Sequence, residues 1–183
     1  MGTEKPIIIV ISRMISSFDV FDTCIVRKCG APRNFFDILS LRAFVEKVEE
    51  WDRQEFIVER THAERSLWER NPYYTLKDIW DSFSWEHSSL KSVSELFNLE
   101  QELEREMLLP VLEMCEKVND CRKRGDRIIF VSDMYLSSVF IMELLRKHGF
   151  YQDGDSIYVS CECKAAKHDG SLFRHITEKA GVS

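Results

Sequence analysis

The chain has 183 residues and a formal net charge of −6 at pH 7, and 44% of its residues are hydrophobic. This size and composition allow one domain with a hydrophobic core and an inserted subdomain. The acidic charge argues against nucleic acid and anionic membranes as partners, and the apolar run from Ile7 to Ile11 is far too short to span a membrane.

The first predicted elements are strands. The stretch from Pro6 to Phe18 predicts one or two short strands, and its last part, from Met14, is by itself a complete strand. The first dozen residues are either a frayed leader or an additional edge strand. Asp19, Asp22 and Thr23 follow directly, where an open parallel sheet places its ligand-binding groups. Both carboxylates could equally be turn or helix-cap residues.

The middle of the chain, residues 31–110, is predicted to be helical. Apolar residues recur at helical spacing from Asn34 to Arg70, and Thr75 followed by Asp78 resembles a capping signal for a short helix. This region holds 10 Lys and Arg residues against 17 Asp and Glu residues, so it accounts for the acidic excess of the whole chain.

A long helix is predicted to end this region. Ser94 is expected to cap it, and the helix should run from Glu95 to about Lys123. Pro110 should kink or divide this helix, because proline removes a backbone hydrogen bond from a helix interior. We expect the chain to pass at this point from a helical subdomain to the main one.

Beyond Gly125 the pattern alternates between strands and helices. The continuous apolar run from Ile128 to Val131 predicts a buried parallel strand, and Ser137 is expected to cap the helix after it. A third strand is predicted from Ile157 to Ser160, and a last helix from Gly170 to about Gly181. This alternation predicts an α/β fold with a parallel sheet and right-handed crossovers.

The cysteines and the N-terminal sequence indicate a reducing compartment. No small-residue cleavage site of a secretory signal is present, which favours a cytoplasmic protein, and the six cysteines are therefore expected to be reduced thiols. Cys161 and Cys163 with His168 could be imagined as a zinc site. A fourth ligand at the usual spacing is missing, so we prefer the interpretation without zinc.

Three predicted strand ends carry polar side chains that suit attack on a phosphoryl group. The first carries Asp19, the second carries Ser132, and the third is followed by Lys164 and Lys167. We expect Asp19, Ser132 and Lys167 to meet at the C-terminal edge of one sheet, with the Asp19 strand in its centre. There the carboxylate would attack, the hydroxyl would bind a phosphoryl oxygen, and the ammonium would offset the negative charge.

In these motifs the sequence resembles the haloacid dehalogenase (HAD) superfamily of hydrolases. The run from Phe18 to Thr23 is similar to its first motif, Ile129 to Asp133 to its second, and Lys167 to Phe173 to its lysine-bearing third. The resemblance implies a Rossmann-like parallel sheet with an inserted, mainly helical cap. It places the HAD-like core in residues 1–30 and 111–183 and the cap in residues 31–110.

The resemblance also implies roles for individual residues. Asp19 corresponds to the nucleophile and to a magnesium ligand, and Thr23 supports its loop. Ser132 corresponds to the phosphate-binding residue. Lys167 corresponds to the charge partner, with Lys164 as the alternative. Magnesium is the implied cofactor.

The sequence departs from the family at two places. Two residues after the nucleophile, where the family's phosphatases carry a general acid, this chain has Phe21, and Asp22 lies one residue further on. We keep Asp22 as a catalytic candidate; the family's dehalogenases also lack an acid at this place. The fourth motif, a strand tipped with acidic magnesium ligands, would follow Gly181, and the given sequence ends at Ser183. We therefore expect an incomplete magnesium site.

The implied function is that of a magnesium-dependent phosphatase acting on a small phosphorylated metabolite through an aspartyl-phosphate intermediate, although this chain could itself be inactive. Two alternatives stay open: an impaired or non-catalytic HAD-fold binding domain, and a metal-independent dehalogenase-type hydrolase. Phe18 to Thr23, Arg60 to Arg65 and Ser132 to Leu136 further resemble a bacterial subgroup found beside glycosyltransferases. This implies a glycosyltransferase or another domain in the full-length protein.

Overall fold

The computed structural model describes residues 14–180. The expectations for the first dozen residues and for a helix end at Gly181 lie outside this range. Within it, no helix is both long and apolar enough to cross a membrane.

The strands are β1 (Ile15–Asp19), β2 (Ile25–Arg27), β3 (Leu108–Pro110), β4 (Arg127–Ser132) and β5 (Ser156–Val159). The helices are α1 (Pro32–Arg42), α2 (Glu50–Arg70), α3 (Leu76–Ser82), α4 (Val93–Met107), α5 (Leu112–Lys123), α6 (Ser138–Lys147), α7 (Ser160–Cys163) and α8 (Ser171–Ala180).

The main sheet is parallel and has the order β1-β4-β5. Asp19 pairs with Val131 on β4, and Ser132 pairs with Val159 on β5. Helices connect these strands in the order that the alternating pattern predicted. The fold is therefore mixed α/β with a Rossmann-like parallel sheet, which confirms the predicted fold class.

The expected central position of the Asp19 strand is wrong for the described sheet. Within residues 14–180, β1 pairs only with β4, and β4 lies between β1 and β5. The physical reason is visible in the burial of the two strands. Ile128 to Ser132 on β4 are all buried, whereas no residue of β1 is fully buried. A strand that is apolar throughout gains most from a position covered on both faces.

A two-stranded antiparallel ribbon, β2 and β3, joins the two ends of the helical insertion. Ile25 pairs with Pro110, and Arg27 pairs with Leu108. The predicted long helix is divided here, since α4 ends at Met107, and α5 begins only after β3. The division near Pro110 agrees with the prediction, but the intervening residues form a strand.

The insertion is mainly helical, as predicted, and its helices α1 to α4 pack against one another. Thr75 caps α3 in a capping box with Asp78, which confirms that prediction. The predicted cap of α4 at Ser94 is wrong: Ser92 caps the helix, because its hydroxyl accepts from the Glu95 backbone while the Glu95 carboxylate accepts from the Ser92 backbone. The domain boundaries at 30 and 111 stay predictions.

Candidate active site

The loop after β1 is a tight turn that fixes Asp19 at the sheet edge. The backbone N–H groups of Cys24 and Ile25 both donate to the carbonyl of Val20, at 2.9 and 3.0 Å. Asp22 adopts a left-handed φ of 59° inside this turn, a conformation that Asp tolerates better than most residues. Thr23 Oγ1 then donates to Asp19 Oδ2 at 3.1 Å, so the turn itself orients the Asp19 carboxylate.

Lys167 reaches the same carboxylate from the other end of the chain. Its Nζ donates to Asp19 Oδ1 at 2.5 Å. The Lys167 backbone N–H donates to both oxygens of Asp133, at 3.1 and 3.0 Å. The Asp19 side chain remains 42% exposed and the Lys167 side chain 27% exposed, so a ligand from solvent can reach the pair.

Asp133 is a site residue to which sequence reasoning assigned no role. It lies directly after β4, and its carboxylate holds the backbone of Lys167. The sequence signal for it was the polar pair Ser132 and Asp133 at the end of an apolar strand. Only Ser132 was assigned a function. Asp133 positions the lysine that contacts Asp19.

Ser132 is buried, with 2% exposure, at the last position of β4. It directly follows Val131, the register partner of Asp19, and neighbouring strands lie about 4.8 Å apart. Within residues 14–180 its hydroxyl makes no hydrogen bond to another side chain or to the backbone. Ser132 thus lies at the same edge of the sheet as Asp19, one position beyond the register partner of Asp19.

Lys164 does not contact Asp19. It adopts a left-handed φ of 51° at the end of α7, and its Nζ donates to the Tyr73 carbonyl in the helical insertion at 3.0 Å. Of the two predicted lysines, the structure places Lys167 at the carboxylate and uses Lys164 to tie the insertion to the sheet domain.

The Asp22 side chain is exposed. Its charge contributes to the electrostatics of Arg27: burial lowers the pKa of Arg27, but Glu104 and, to a smaller extent, Asp22 raise it above its ordinary value. Within the described residues, the Asp22 carboxylate has no hydrogen bond to Asp19 or Lys167. The catalytic role of Asp22 thus stays a prediction.

The position expected to carry a general acid is apolar in this chain. The Arg27 guanidinium lies over the Phe21 ring, 5.4 Å from its centroid, and Phe21 packs against the hydrophobic core. Cys24, in the same turn, is fully buried. Burial and the nearby Asp19 charge raise the pKa of Cys24 to about 12, so its thiol is not a competing nucleophile.

A buried network of charges was missed by the sequence analysis. Arg60 is fully buried and donates to both oxygens of Glu100, at 3.0 and 2.7 Å, and to Glu64 at 2.9 Å. Trp80 Nε1 also donates to Glu100, at 2.9 Å. Burial alone would lower the pKa of Arg60, but the Glu100 charge raises it overall. Only the helical spacing of charged residues on α2 and α4 hinted at this network.

The described residues do not supply a full set of magnesium ligands. Each oxygen of Asp19 already accepts one hydrogen bond, from Lys167 and from Thr23. In residues 14–180 no group of three or more His, Cys, Asp or Glu side chains is arranged to hold a metal ion. No such group includes Cys161, Cys163 or His168. All six cysteines are free thiols.

No protein-family model matches the chain, and no curated protein matches it. Among solved structures, it is similar to YfnB from Bacillus subtilis, assigned as a HAD-hydrolase and bound to magnesium in its orthorhombic crystal form. The sequence identity is 15% and the TM-score is 0.49, over 91% of this chain and 72% of YfnB. A likeness at this level carries no argument about activity.

Proposed function

We propose that this chain is a HAD-like phosphomonoester hydrolase that uses Asp19 as its nucleophile. The observation that carries the proposal is the contact of 2.5 Å between Lys167 Nζ and Asp19 Oδ1 at the carboxyl end of a parallel strand. A half-exposed carboxylate fixed beside an ammonium suits attack on an anionic phosphoryl group, because the cation offsets the repulsion between them.

Each residue of the site has a defined part in this reaction. Asp19 attacks phosphorus, so that a bond from its oxygen to phosphorus forms and the ester P–O bond breaks. Lys167 offsets the charge of the phosphoryl oxygens, and Ser132 donates to one of them. Thr23 and Asp133 keep the carboxylate and the lysine in place. A water molecule then attacks the aspartyl phosphate, which releases phosphate and restores the Asp19 carboxylate.

Proton transfer to the leaving group is the weak step of the proposed reaction. Phe21 provides no acid, so the leaving oxygen takes its proton from water. Loss of general acid catalysis costs about 10² to 10⁴ in rate. The chain should therefore hydrolyse esters with acidic leaving groups far better than esters of ordinary alcohols.

Magnesium is included in the proposal with a limited role. When bound, it would neutralise charge on the nucleophile and on the phosphoryl group. Asp19 is the ligand that the described residues offer, and they do not provide the rest of a magnesium site. The steps above use only the protein's own residues.

Two partners implied by the resemblance belong to the same proposal. The substrate would be a small phosphorylated metabolite, and the full-length protein would carry a glycosyltransferase or another domain.

The helical insertion would act as a cap over the site. Two hydrogen bonds support its attachment there, from Lys164 Nζ to the Tyr73 carbonyl at 3.0 Å and from the Leu76 backbone to the Tyr135 carbonyl at 2.8 Å.

A metal-independent dehalogenase-type hydrolase is the second candidate. Two observations favour it: the Asp19 carboxylate is already paired with an ammonium, and the described residues assemble no metal-ligand group around it. In that reaction Asp19 would attack carbon and displace halide, which leaves without needing a proton.

The test is hydrolysis of p-nitrophenyl phosphate, with and without magnesium, by wild type, Asp19→Asn and Asp22→Asn. We expect Asp19→Asn to abolish turnover and Asp22→Asn to reduce it only partly. Mass spectrometry of the acid-quenched wild type should show phosphate on the peptide that contains Asp19. Activity that survives Asp19→Asn would overturn the proposal, and halide release from a 2-haloacid without phosphatase activity would support the second candidate.

A further inference from the structure

A small cleft lies between the helical insertion and the sheet domain, next to the candidate active site. Its volume is about 170 Å³, close to the volume of about six water molecules at about 30 Å³ each. Trp68, Tyr73 and Tyr74 line it from the insertion, and Asp133 and His168 line it from the sheet domain. The cleft is too small for a drug-sized ligand, for which pockets of about 300 Å³ or more are usual.

Two residues of the lining connect the cleft to the loop that carries Lys167. Asp133 accepts the Lys167 backbone N–H, and His168 follows Lys167 in sequence. A group bound in the cleft would thus lie beside a phosphoryl group held at Asp19 and Lys167. This is the place for the part of the substrate that departs.

The charged residues that line the cleft are acidic. Glu64 and Asp133 contribute carboxylates, and its described lining contains no Lys or Arg. Glu64 is held in place by Arg60 Nη1 at 2.9 Å and by the Tyr74 hydroxyl at 3.2 Å. Arg60 also bonds Glu100. One guanidinium therefore neutralises only one of the two carboxylates, and the cluster of Arg60, Glu64 and Glu100 keeps a negative charge.

The cleft also has an aromatic wall. Tyr74 and Tyr135 stack with ring centroids 6.2 Å apart, and the Trp68 side chain adds a large apolar surface that is 55% exposed. Burial and the neighbouring Glu64 charge raise the pKa of Tyr74, so its phenol stays protonated. Aromatic faces bind apolar ring and methylene surfaces and also attract cations.

We infer that this cleft binds the leaving group of the substrate, and that it selects a small leaving group that is uncharged or cationic and carries hydroxyl or amine donors. The inference rests on the proposed phosphatase function. Hydroxyl and ammonium groups donate to the Glu64 and Asp133 carboxylates, while their carbon skeleton packs on Trp68 and Tyr73. A second phosphate or carboxylate on the substrate would face the same two carboxylates, with no Lys or Arg in the described lining to pair with it, and is rejected.

Glu64 and Trp68 are the specificity-determining residues under this inference, and α2 offers a matched control for each. Glu55 is an exposed glutamate on the same helix, and Trp51 is a tryptophan with 65% exposure on that helix. Neither lines the cleft. Glu64→Gln keeps an acceptor for Arg60 and removes the charge, so it tests charge rather than folding.

The experiment compares kcat/KM for three small esters: ethanolamine phosphate, glycerol phosphate and 3-phosphoglycerate, which have cationic, neutral and anionic leaving groups. Wild type should prefer the first two over the third by about tenfold or more, as expected when a substrate charge is held close to two carboxylates of the same sign. Glu64→Gln should reduce that preference several-fold, and Trp68→Ala should raise KM for all three. Glu55→Gln and Trp51→Ala should behave as wild type. Equal kcat/KM for the three esters, with Glu64→Gln matching Glu55→Gln, would overturn the inference.

A binding measurement separates this inference from the proposed function. Ethanolamine, glycerol and glycerate are titrated into Asp19→Asn, and tryptophan fluorescence is recorded in the presence and absence of the Trp68→Ala change. The first two should alter a signal that depends on Trp68, and glycerate should not. This result without any ester hydrolysis would refute the proposed phosphatase activity and support the inference that the cleft selects leaving groups by charge. Ester hydrolysis without charge selection in either measurement would support the phosphatase activity and refute charge selection by the cleft. If the protein shows no hydrolysis and no binding, both claims are refuted.

Discussion

Lys167 Nζ and Asp19 Oδ1 lie 2.5 Å apart although 148 positions separate the two residues in sequence. The contact forms because β1 ends at Asp19, while Asp133, after the neighbouring strand β4, holds the backbone of Lys167. Two strand ends and one loop thus converge on a single carboxylate. The pair is partly exposed, so it contributes little to the free energy of unfolding. Its main effect is expected on the reaction.

Removal of the ammonium should therefore damage catalysis more than folding. We expect Lys167→Gln to lower kcat for p-nitrophenyl phosphate by about 10² to 10³, the range seen when one donor to a developing negative charge is removed. Lys167→Arg should recover part of the rate, because it restores the charge in another geometry. The control is Lys77→Gln, which removes an exposed lysine paired with Asp81 on α3. Equal kcat for Lys167→Gln and wild type would show that Lys167 does not serve the reaction.

The buried Arg60 network predicts a large effect on stability. Arg60→Met leaves Glu100 buried without its guanidinium partner, and breaking a buried pair in this way costs about 3 to 5 kcal/mol in the free energy of unfolding. Arg65→Met is the matched control, since it removes an exposed i,i+4 pair with Glu69 on the same helix and should cost about 0 to 1 kcal/mol. Urea unfolding of both variants measures the difference. Similar midpoints for the two would contradict the burial of this charge.

Local patterns in the sequence were sufficient to predict the elements that depend on neighbouring residues. The capping box of Thr75 and Asp78 and the cap at Ser137 involve groups within three positions, so short-range rules apply to them. The apolar run of β4 predicted a buried parallel strand for the same reason. Ser94 was mistaken for the α4 cap because Ser92 offers the same chemistry two residues earlier, and only Ser92 has Glu95 at the required third position.

Long-range pairing could not be predicted in the same way. Arg60 and Glu100 are separated by 40 positions, and a charged residue on an amphipathic helix is usually exposed. The order of the strands depends on which strand gains most from burial on both faces, and that comparison needs the whole sheet. The resemblance already favoured Lys167 over Lys164, but the contact of Lys164 with the Tyr73 carbonyl depends on tertiary structure and had no local signal.

Lys164 should stabilise the position of the insertion over the site. We expect Lys164→Ala to speed amide hydrogen exchange at Leu76, because it loosens the loop whose Leu76 N–H donates to the Tyr135 carbonyl. Global stability should change little, as Lys164 is exposed. Lys179→Ala, which alters an exposed lysine on α8, is the control. Unchanged exchange at Leu76 would show that the Lys164 contact does not restrain this loop.

His148 should make stability dependent on pH. Burial, together with the charges of Lys147 and Lys28, lowers the pKa of His148. The unfolded chain therefore binds a proton more readily than the folded chain, so the contribution to stability is present above the unfolded pKa of about 6.5 and is lost as the pH falls towards the folded value. His148→Gln should flatten the dependence of the urea midpoint between about pH 5 and pH 7.5. His62→Gln, which removes an exposed histidine on α2, is the control. A slope that persists in His148→Gln would show that other groups cause the dependence on pH.

The side chain at position 21 should determine which phosphate esters this chain can hydrolyse. Phe21 packs beneath Arg27 and cannot protonate a leaving oxygen, so an alkoxide must depart with help from water alone. A p-nitrophenolate needs no such help. We expect kcat/KM for p-nitrophenyl phosphate to exceed that for glycerol phosphate by about 10² or more, within the range of 10² to 10⁴ that general acid catalysis contributes.

Substitution at this position tests the cause of that difference. Phe21→Asp should raise the rate with glycerol phosphate and leave the rate with p-nitrophenyl phosphate nearly unchanged, although the neighbouring Arg27 will hold the pKa of a carboxyl here low and limit the gain. Phe21→Ala removes the same packing without adding an acid, so it should raise neither rate. Efficient hydrolysis of glycerol phosphate by wild type would mean that another group supplies the proton. Its loss in Asp22→Asn would then identify that group as Asp22.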